Sequence, residues 1–161
     1  MVLKNKKLVK NISELTDICS SYKAQNETII MTNGCFDILH SGHTYFLQET
    51  KKLGDKLVIA LNSDVSIKKI KGSDRPIMSE CDRAYVLSCL ESVDHIILFN
   101  EETPEKIICQ LLPDILVKGE DYKNKKIAGE ECLVRNGKKV VLINLIEGKS
   151  TTSVIDKILK T

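Results

Sequence analysis

The sequence predicts an α/β domain, a doubly wound five-stranded parallel sheet with an amphipathic helix ahead of it. Three observations lead there. Short β-branched apolar runs alternate with helical patterns from residue 28 onward. Helix-start residues stand in the gaps between the runs, where crossover helices are needed. A chain of 161 residues with 42% hydrophobic content also supplies one continuous core without metals or disulfides. A single domain over residues 1–161 is expected, residues 1–27 contributing a helix that packs on a core of residues 28–161.

Taken in order, Ile12, Leu15, Ile18, Cys19 and Tyr22 recur at helical spacing, so residues 11–25 form an amphipathic helix with a packing role. Strands follow at Thr28–Thr32, Leu57–Asn62, His95–Phe99, Ile115–Val117 and Lys139–Ile143. Ser79, with Asp82 three residues on, marks one helix start. Thr103 followed by Pro104 at the first helical position marks another, and Ser150 ahead of Thr151 a third. Residues 63–78 read as a polar loop, long enough to suspect function. No internal repeat, low-complexity tract or Pro/Gly-rich linker divides the chain.

Composition excludes several classes. A formal charge of +2 against 29% charged residues is too small for the broad basic surface of a general nucleic-acid binder, so any positive field is local. The six cysteines are scattered singly, without the close pairs that zinc sites and redox motifs use, and read as buried thiols in a reducing cytoplasm. The lysine-rich first ten residues are not followed by the apolar stretch of a signal peptide, and no segment approaches a membrane span. The expectation is a soluble cytoplasmic protein with neither nucleic acid nor membrane as partner.

The most informative stretch runs from Thr32 to His43, leaving the first strand and entering a helix. Ligands of open parallel sheets bind at the carboxyl ends of strands, where helix N-termini offer free N–H groups to phosphate. His40 and His43, separated by Ser41 and Gly42, face one pocket there, and the missing side chain at Gly42 lets a nucleotide approach the backbone. Nucleotidyl transfer asks mainly for alignment and for charge stabilisation on the phosphorus oxygens, a task suited to imidazole N–H donors. Lys71 and Arg75 add cations for the acceptor phosphate or the triphosphate. Asp121 suits the ribose hydroxyls and Lys118 a phosphate. Ser150, Thr151 and Thr152 join hydroxyls to the free amides of a helix start, a general way of holding outer phosphates, though taken alone they read as ordinary capping. Each group has a plainer use as well: solvated lysines, a turn at Gly119, ordinary capping, a surface salt bridge at Arg83.

These residues resemble the nucleotidyltransferase superfamily whose signature is H-x-G-H after the first strand of a Rossmann-like, cytidylyltransferase-like domain. The likeness spans about residues 28–155 and is closest to bacterial D-glycero-β-D-manno-heptose 1-phosphate adenylyltransferases. Their T-N-G-x-F-D-I-L-H-x-G-H is matched from Thr32 to His43, and their N-S-D by Asn62, Ser63 and Asp64. Lys71-Gly72 with Arg75-Pro76, Leu116 to Gly119 with Asp121-Tyr122, and Gly148 with Ser150 to Thr152 follow in the same order. Glu120 departs from the pattern, standing where many members have a second glycine, and Lys149 fills a variable position. Glycerol-3-phosphate cytidylyltransferases share the fold, but carry an arginine in an R-T-E-G stretch where this chain has Leu145-Ile146-Glu147-Gly148. A non-catalytic nucleotide-binding regulatory module is the reading from another class, and the full set of candidate catalytic residues stands against it. A synthetase fragment would need an RNA-binding domain that is not evident.

The resemblance implies transfer of AMP from ATP to a heptose 1-phosphate, giving ADP-heptose and pyrophosphate for lipopolysaccharide core or a related surface glycan. It implies His40, His43 and Lys71 as catalytic residues. Thr32, Asn33, Gly34, Phe36, Gly42, Lys118, Gly119, Asp121, Ser150, Thr151 and Thr152 would bind the nucleotide. Asp37, Asn62, Asp64, Lys71, Arg75 and Arg83 would bind the acceptor. No residue is assigned to a metal; Mg²⁺ would offset charge and help pyrophosphate leave. A homodimer and a separate heptose kinase are the implied partners.

Overall fold

The computed structural model describes residues 6–160 and holds one parallel sheet of six strands rather than five. Residues 1–5 and 161 of the expected domain lie outside the described residues. The added strand is β1 (Leu8–Val9), which pairs in register with Ile96 and Ile97. Two residues inside a lysine-rich stretch are too few to show an alternation, so periodicity passes over them.

Asn11 opens α1 (Ile12–Ala24) by accepting the Glu14 amide at 3.0 Å. Then come β2 (Ile29–Gly34), α2 (Ser41–Lys51), β3 (Lys56–Asn62), α3 (Asp64–Lys71), α4 (Glu80–Ser88) and β4 (His95–Phe99). The second half runs α5 (Glu105–Leu111), β5 (Ile115–Gly119), a 3₁₀ turn at Glu120–Tyr122, α6 (Glu130–Arg135), β6 (Lys139–Ile143) and α7 (Thr151–Leu159). The five expected strands are all present, two with the expected bounds. Ser79 and Ser150 cap as expected, receiving the Asp82 and Ser153 amides.

Two helix expectations need correction. Pro104 occupies the cap position of α5 rather than its first turn, and makes no side-chain cap bond. The segment 63–78 is not all loop: Ser63 caps α3 through the Ser66 amide at 3.1 Å. Of its eight residues only Ser66 and Ile67 are buried, which leaves almost no apolar period to read.

Strand order is β1-β4-β3-β2-β5-β6, so the chain winds outward from β2 in one direction and from β5 in the other. The neighbours β2 and β5 form the switch point where a crevice opens. Pairing of β2 with β3 runs from Ile29 to Gly34, whereas β2 and β5 pair only at Ile30↔Ile115 and Met31↔Leu116. Just beyond, the Thr32 hydroxyl donates to the Val117 carbonyl at 2.9 Å and bridges the parting strands.

Helices cover both faces. Ile29 and Met31 pack with Leu15 and Cys19 of α1 and Ile108 of α5, while Ile30 faces Leu47 of α2 and Leu87 of α4. All of these are at most 1% exposed, and each such side chain contributes roughly 1.5–3 kcal/mol of transfer free energy.

The cysteines also differ from expectation. Cys109 of α5 and Cys132 of α6 are joined by a disulfide. Cys19 is buried, Cys35 half-buried, and Cys81 and Cys89 exposed. The packing of α5 on α6 creates the pair across 23 residues of sequence, a spacing that matches no motif.

Candidate active site

At the carboxyl end of β2 the backbone is strained: Phe36 has φ of 47° and Ile38 of 49°. For a bulky and a β-branched side chain that region is costly, and it persists only where surrounding bonds impose it. Asp37, 1% exposed, supplies several. Its carboxylate accepts the Ile77 and Met78 amides and Arg75 Nε, each at 2.9 Å, and pairs with Arg75 Nη2 at 2.7 Å. Burial raises its pKa, but these bonds outweigh it and leave the carboxyl below its ordinary value. The Asp37 carbonyl accepts the Thr151 hydroxyl at 2.7 Å, tying α7 to the same loop.

Past that loop, His40 stands at the cap of α2 and folds back on its first turn. Its Nδ1 accepts the Gly42 amide at 3.1 Å, while its own amide points to His43 Nδ1 at 3.4 Å. A nitrogen that accepts carries no proton, so both neutral rings hold theirs on Nε2. The rings stack with centroids 3.8 Å apart. His40 Nε2 is shielded and has no hydrogen-bond partner within the protein. Burial, then the Lys149 charge, hold the His40 pKa down. Burial, His40 and Lys71 bring His43 down to about 4, against a smaller upward pull from Asp37. At neutral pH this is a pair of uncharged N–H donors.

The pair lines a cavity of about 650 Å³ at the switch point between β2 and β5. All the expected nucleotide residues line it: Thr32, Asn33, Gly34, Phe36 and Gly42 from the stretch between β2 and the first turn of α2, and Lys118, Gly119, Asp121, Ser150, Thr151 and Thr152 from the second half of the chain. Lys118 is 5% exposed, points its ammonium at Asn33 Oδ1 across the seam, and lies 4.5 Å from the Tyr122 ring centre. Burial lowers its pKa to about 8, with Asp121 pulling the other way. Gly119 lets Asp121 and Leu145 come close to the backbone, since a Cβ there would sit 2.5 Å from Asp121 Oδ1 and 2.8 Å from Leu145 Cδ1, and either side chain would have to move. At Gly42, which lines the cavity, an added Cβ would meet Lys149 Cβ at 2.9 Å and the His40 ring at 3.0 Å.

On the acceptor side Asp37, Asn62, Lys71 and Arg75 line the cavity, but Asp64 and Arg83 do not. Arg83 is 1% exposed and spends its guanidinium on the fold. It donates to the carbonyls of Met78 (3.1 Å), Cys35 (2.6 Å) and Asn62 (2.8 Å), and to Asp64 Oδ1 (2.8 Å). Asn62 in turn donates its amide to Ser66 Oγ at 2.9 Å. Glu120 lies outside the lining and faces Lys123. The Cys35 thiol lines the cavity, and burial raises its pKa against the pull of Lys71, Arg83 and Arg75, so it stays protonated.

A family model described as cytidylyltransferase-like matches residues 31–156. The chain belongs to the cytidylyltransferase-like family. Among curated relatives it is 46% identical over 149 residues to the bifunctional protein HldE of a Nitratiruptor species, covering 92% of this chain and 31% of that protein. It is 50% identical over 146 residues to the bifunctional protein HldE of Haemophilus influenzae (strain PittEE), with 91% and 31% covered. The chain thus spans about a third of the length of these curated relatives. Among solved structures, the lipopolysaccharide core biosynthesis protein of Thermoplasma volcanium GSS1 is 34% identical with a TM-score of 0.60, over 76% of this chain and 99% of that one. The pantoate-beta-alanine ligase of Francisella tularensis, 15% identical with a TM-score of 0.60 over 96% and 79% of the chains, shares the fold alone.

Some lining residues of this cytidylyltransferase-like chain escaped sequence reasoning. Glu102, Thr103 and Pro104 reach the cavity from the end of β4, Phe46 and Ile70 from α2 and α3, and Lys126 and Ala128 from the stretch before α6. None belongs to a spaced motif. Leu145 and Ile146, 46% and 36% exposed, give an apolar wall where the cytidylyltransferase pattern has its arginine. Their exposure beside a polar cavity is a signal that only the fold supplies.

Proposed function

We propose that this chain transfers AMP from ATP to a heptose 1-phosphate and releases pyrophosphate, forming ADP-heptose for lipopolysaccharide core or a related surface glycan. The observation that carries the reading is the imidazole pair, whose Nε2 donors are fixed by backbone bonds at one end of a cavity that also holds Lys71, Lys118 and the start of α7. Likeness to proteins named HldE and to a lipopolysaccharide core biosynthesis protein supports the sugar phosphate as acceptor.

In this mechanism an oxygen of the acceptor phosphate attacks the α-phosphorus in line. The bond to the β-phosphate breaks, and its electron pair leaves with pyrophosphate. His40 and His43 donate to the non-bridging α-phosphate oxygens as charge accumulates there, with no proton transfer required. Arg75, aimed by Asp37, and Lys71 hold the acceptor phosphate. Ser150, Thr151 and Thr152 take the outer phosphates, and Asp121 the ribose. Leu145 and Ile146 offer an apolar surface to the base.

Mg²⁺ would offset phosphate charge when bound. Among the described residues no group of three or more His, Cys, Asp or Glu side chains is gathered to hold a metal, so the triphosphate oxygens would carry the ion in. The same reading takes residues 1–161 as one domain, in a cytoplasmic homodimer. A heptose kinase activity, on a separate partner or elsewhere on a longer chain, supplies the acceptor. No helix among the described residues is long and apolar enough to cross a membrane.

The test is pyrophosphate release with each nucleoside triphosphate and Mg²⁺, run in parallel with heptose 1-phosphate and glycerol 3-phosphate. Release with ATP and heptose 1-phosphate alone is expected. Release with CTP and glycerol 3-phosphate would overturn the substrate, and silence from every pair would overturn catalysis.

A further inference from the structure

We propose that Lys149 is the leaving-group residue of this site, its ammonium taking up the charge that departs with pyrophosphate. The inference rests on the nucleotidyl-transfer reading above. Lys149 lines the cavity and sits between Gly148, whose φ of 70° turns the chain, and Ser150, the cap of α7. Its Cβ lies against Gly42 in the first turn of α2, since a Cβ built on Gly42 would lie 2.9 Å from Lys149 Cβ and 3.0 Å from the His40 ring. The field of its charge is felt at His40.

The other cations of the lining are matched within the protein. Arg75 is held by Asp37, Lys118 points at Asn33, and Lys126 lies 3.8 Å from Glu131. Among the described residues, the side chains of Lys149 and Lys71 make no ion pair or hydrogen bond, and both line the cavity. Lys71 acts on His43, while Lys149 acts on His40.

The cavity therefore has two uncommitted cations on separate elements, Lys149 beside Gly42 and the cap of α7 and Lys71 at the end of α3, and that gives the reaction axis a direction. With the α-phosphoryl group held by the rings, the acceptor phosphate approaches from the Lys71 end, and its oxygen forms the new bond to phosphorus. The α–β bridging bond breaks and its electron pair stays on the pyrophosphate oxygen. Negative charge thus grows toward Lys149 and the amides of α7. A cation that meets this growing charge is worth more in the transition state than in the ground state.

The experiment titrates inorganic pyrophosphate and, separately, AMP onto the wild-type chain and its Lys149→Met and Lys149→Arg variants by calorimetry, with folding checked by circular dichroism. Lys149→Met is expected to weaken pyrophosphate about tenfold or more, as loss of a charge-assisted bond does, with AMP within about twofold and Lys149→Arg near wild type. Unchanged pyrophosphate affinity in a folded Lys149→Met variant overturns the proposal. So does an equal loss of both ligands, which marks a general collapse of the pocket. A wild-type chain that binds neither ligand removes the nucleotidyl-transfer reading itself, and this inference with it.

Discussion

Arg83 and Asp64 form an ion pair at 2.8 Å behind the cavity, with the arginine side chain fully enclosed. The same guanidinium braces three backbone carbonyls at the ends of β2 and β3 and ahead of α4. Its work is to hold the strand ends that present the site. Arg83→Met should therefore cost about 3–5 kcal/mol in urea unfolding, because it strands an acid and buried carbonyls without a donor. Unaltered stability with a raised acceptor KM would return Arg83 to substrate binding.

The histidine pair makes two predictions testable together. In the free protein, imidazole nitrogen NMR should show both rings as Nε2–H tautomers at pH 7, with His43 titrating near 4. Because its folded pKa lies below the ordinary 6.5, the unfolded chain binds more protons in between. The stability this contributes is complete above about pH 6.5 and is lost as pH falls toward 4. His43→Ala should leave the fold intact and cut turnover by about two to three orders of magnitude; near-normal turnover would remove His43 from the mechanism.

Asp37 controls Arg75 and the loop to Met78 from a buried position. In Asp37→Asn the amide sets N–H groups against at least one donor that the carboxylate now satisfies, so unfolding should be easier by about 1–3 kcal/mol. The acceptor KM should rise as well, matching the direction of Arg75→Ala. An unchanged KM in Arg75→Ala would leave that arginine with a structural role only.

Joining Cys109 to Cys132 closes a loop whose ends are 23 residues apart. The chain-entropy model assigns such a link about 3 kcal/mol, so reduction or Cys109→Ser should lower the unfolding free energy by that much. Thiol titration in denaturant should count four groups before reductant and six after. Six thiols throughout would mean that the native chain carries no disulfide.

How much of this was legible depended on whether the information ran along the chain or across it. Strands β2 to β6 and the segment Thr32 to His43 were readable because period and motif are local. The same holds for Lys118 to Asp121 and Ser150 to Thr152, whose expected ligand residues all reach the cavity. Arg83 looked like a substrate ligand because a motif gives an address and not a direction; packing of α4 turns it inward. The Cys109–Cys132 pair, the Glu102 edge and the seat of Lys149 beside Gly42 are meetings of distant segments, and no spacing encodes them.

The early end of β2–β5 pairing has one more effect. Deep in the crevice its width is set by paired backbone at Met31 and Leu116 and by the Thr32 bridge, whereas its exposed edge is lined by the turn after β5 and by Leu145 and Ile146. On the nucleotidyl-transfer reading, the segment from Thr32 to His43 with the start of α7 would set phosphate geometry, and the exposed edge would set ligand identity. Exchanging segments of that edge offers a route to new donor or acceptor preferences while the transfer chemistry keeps its alignment.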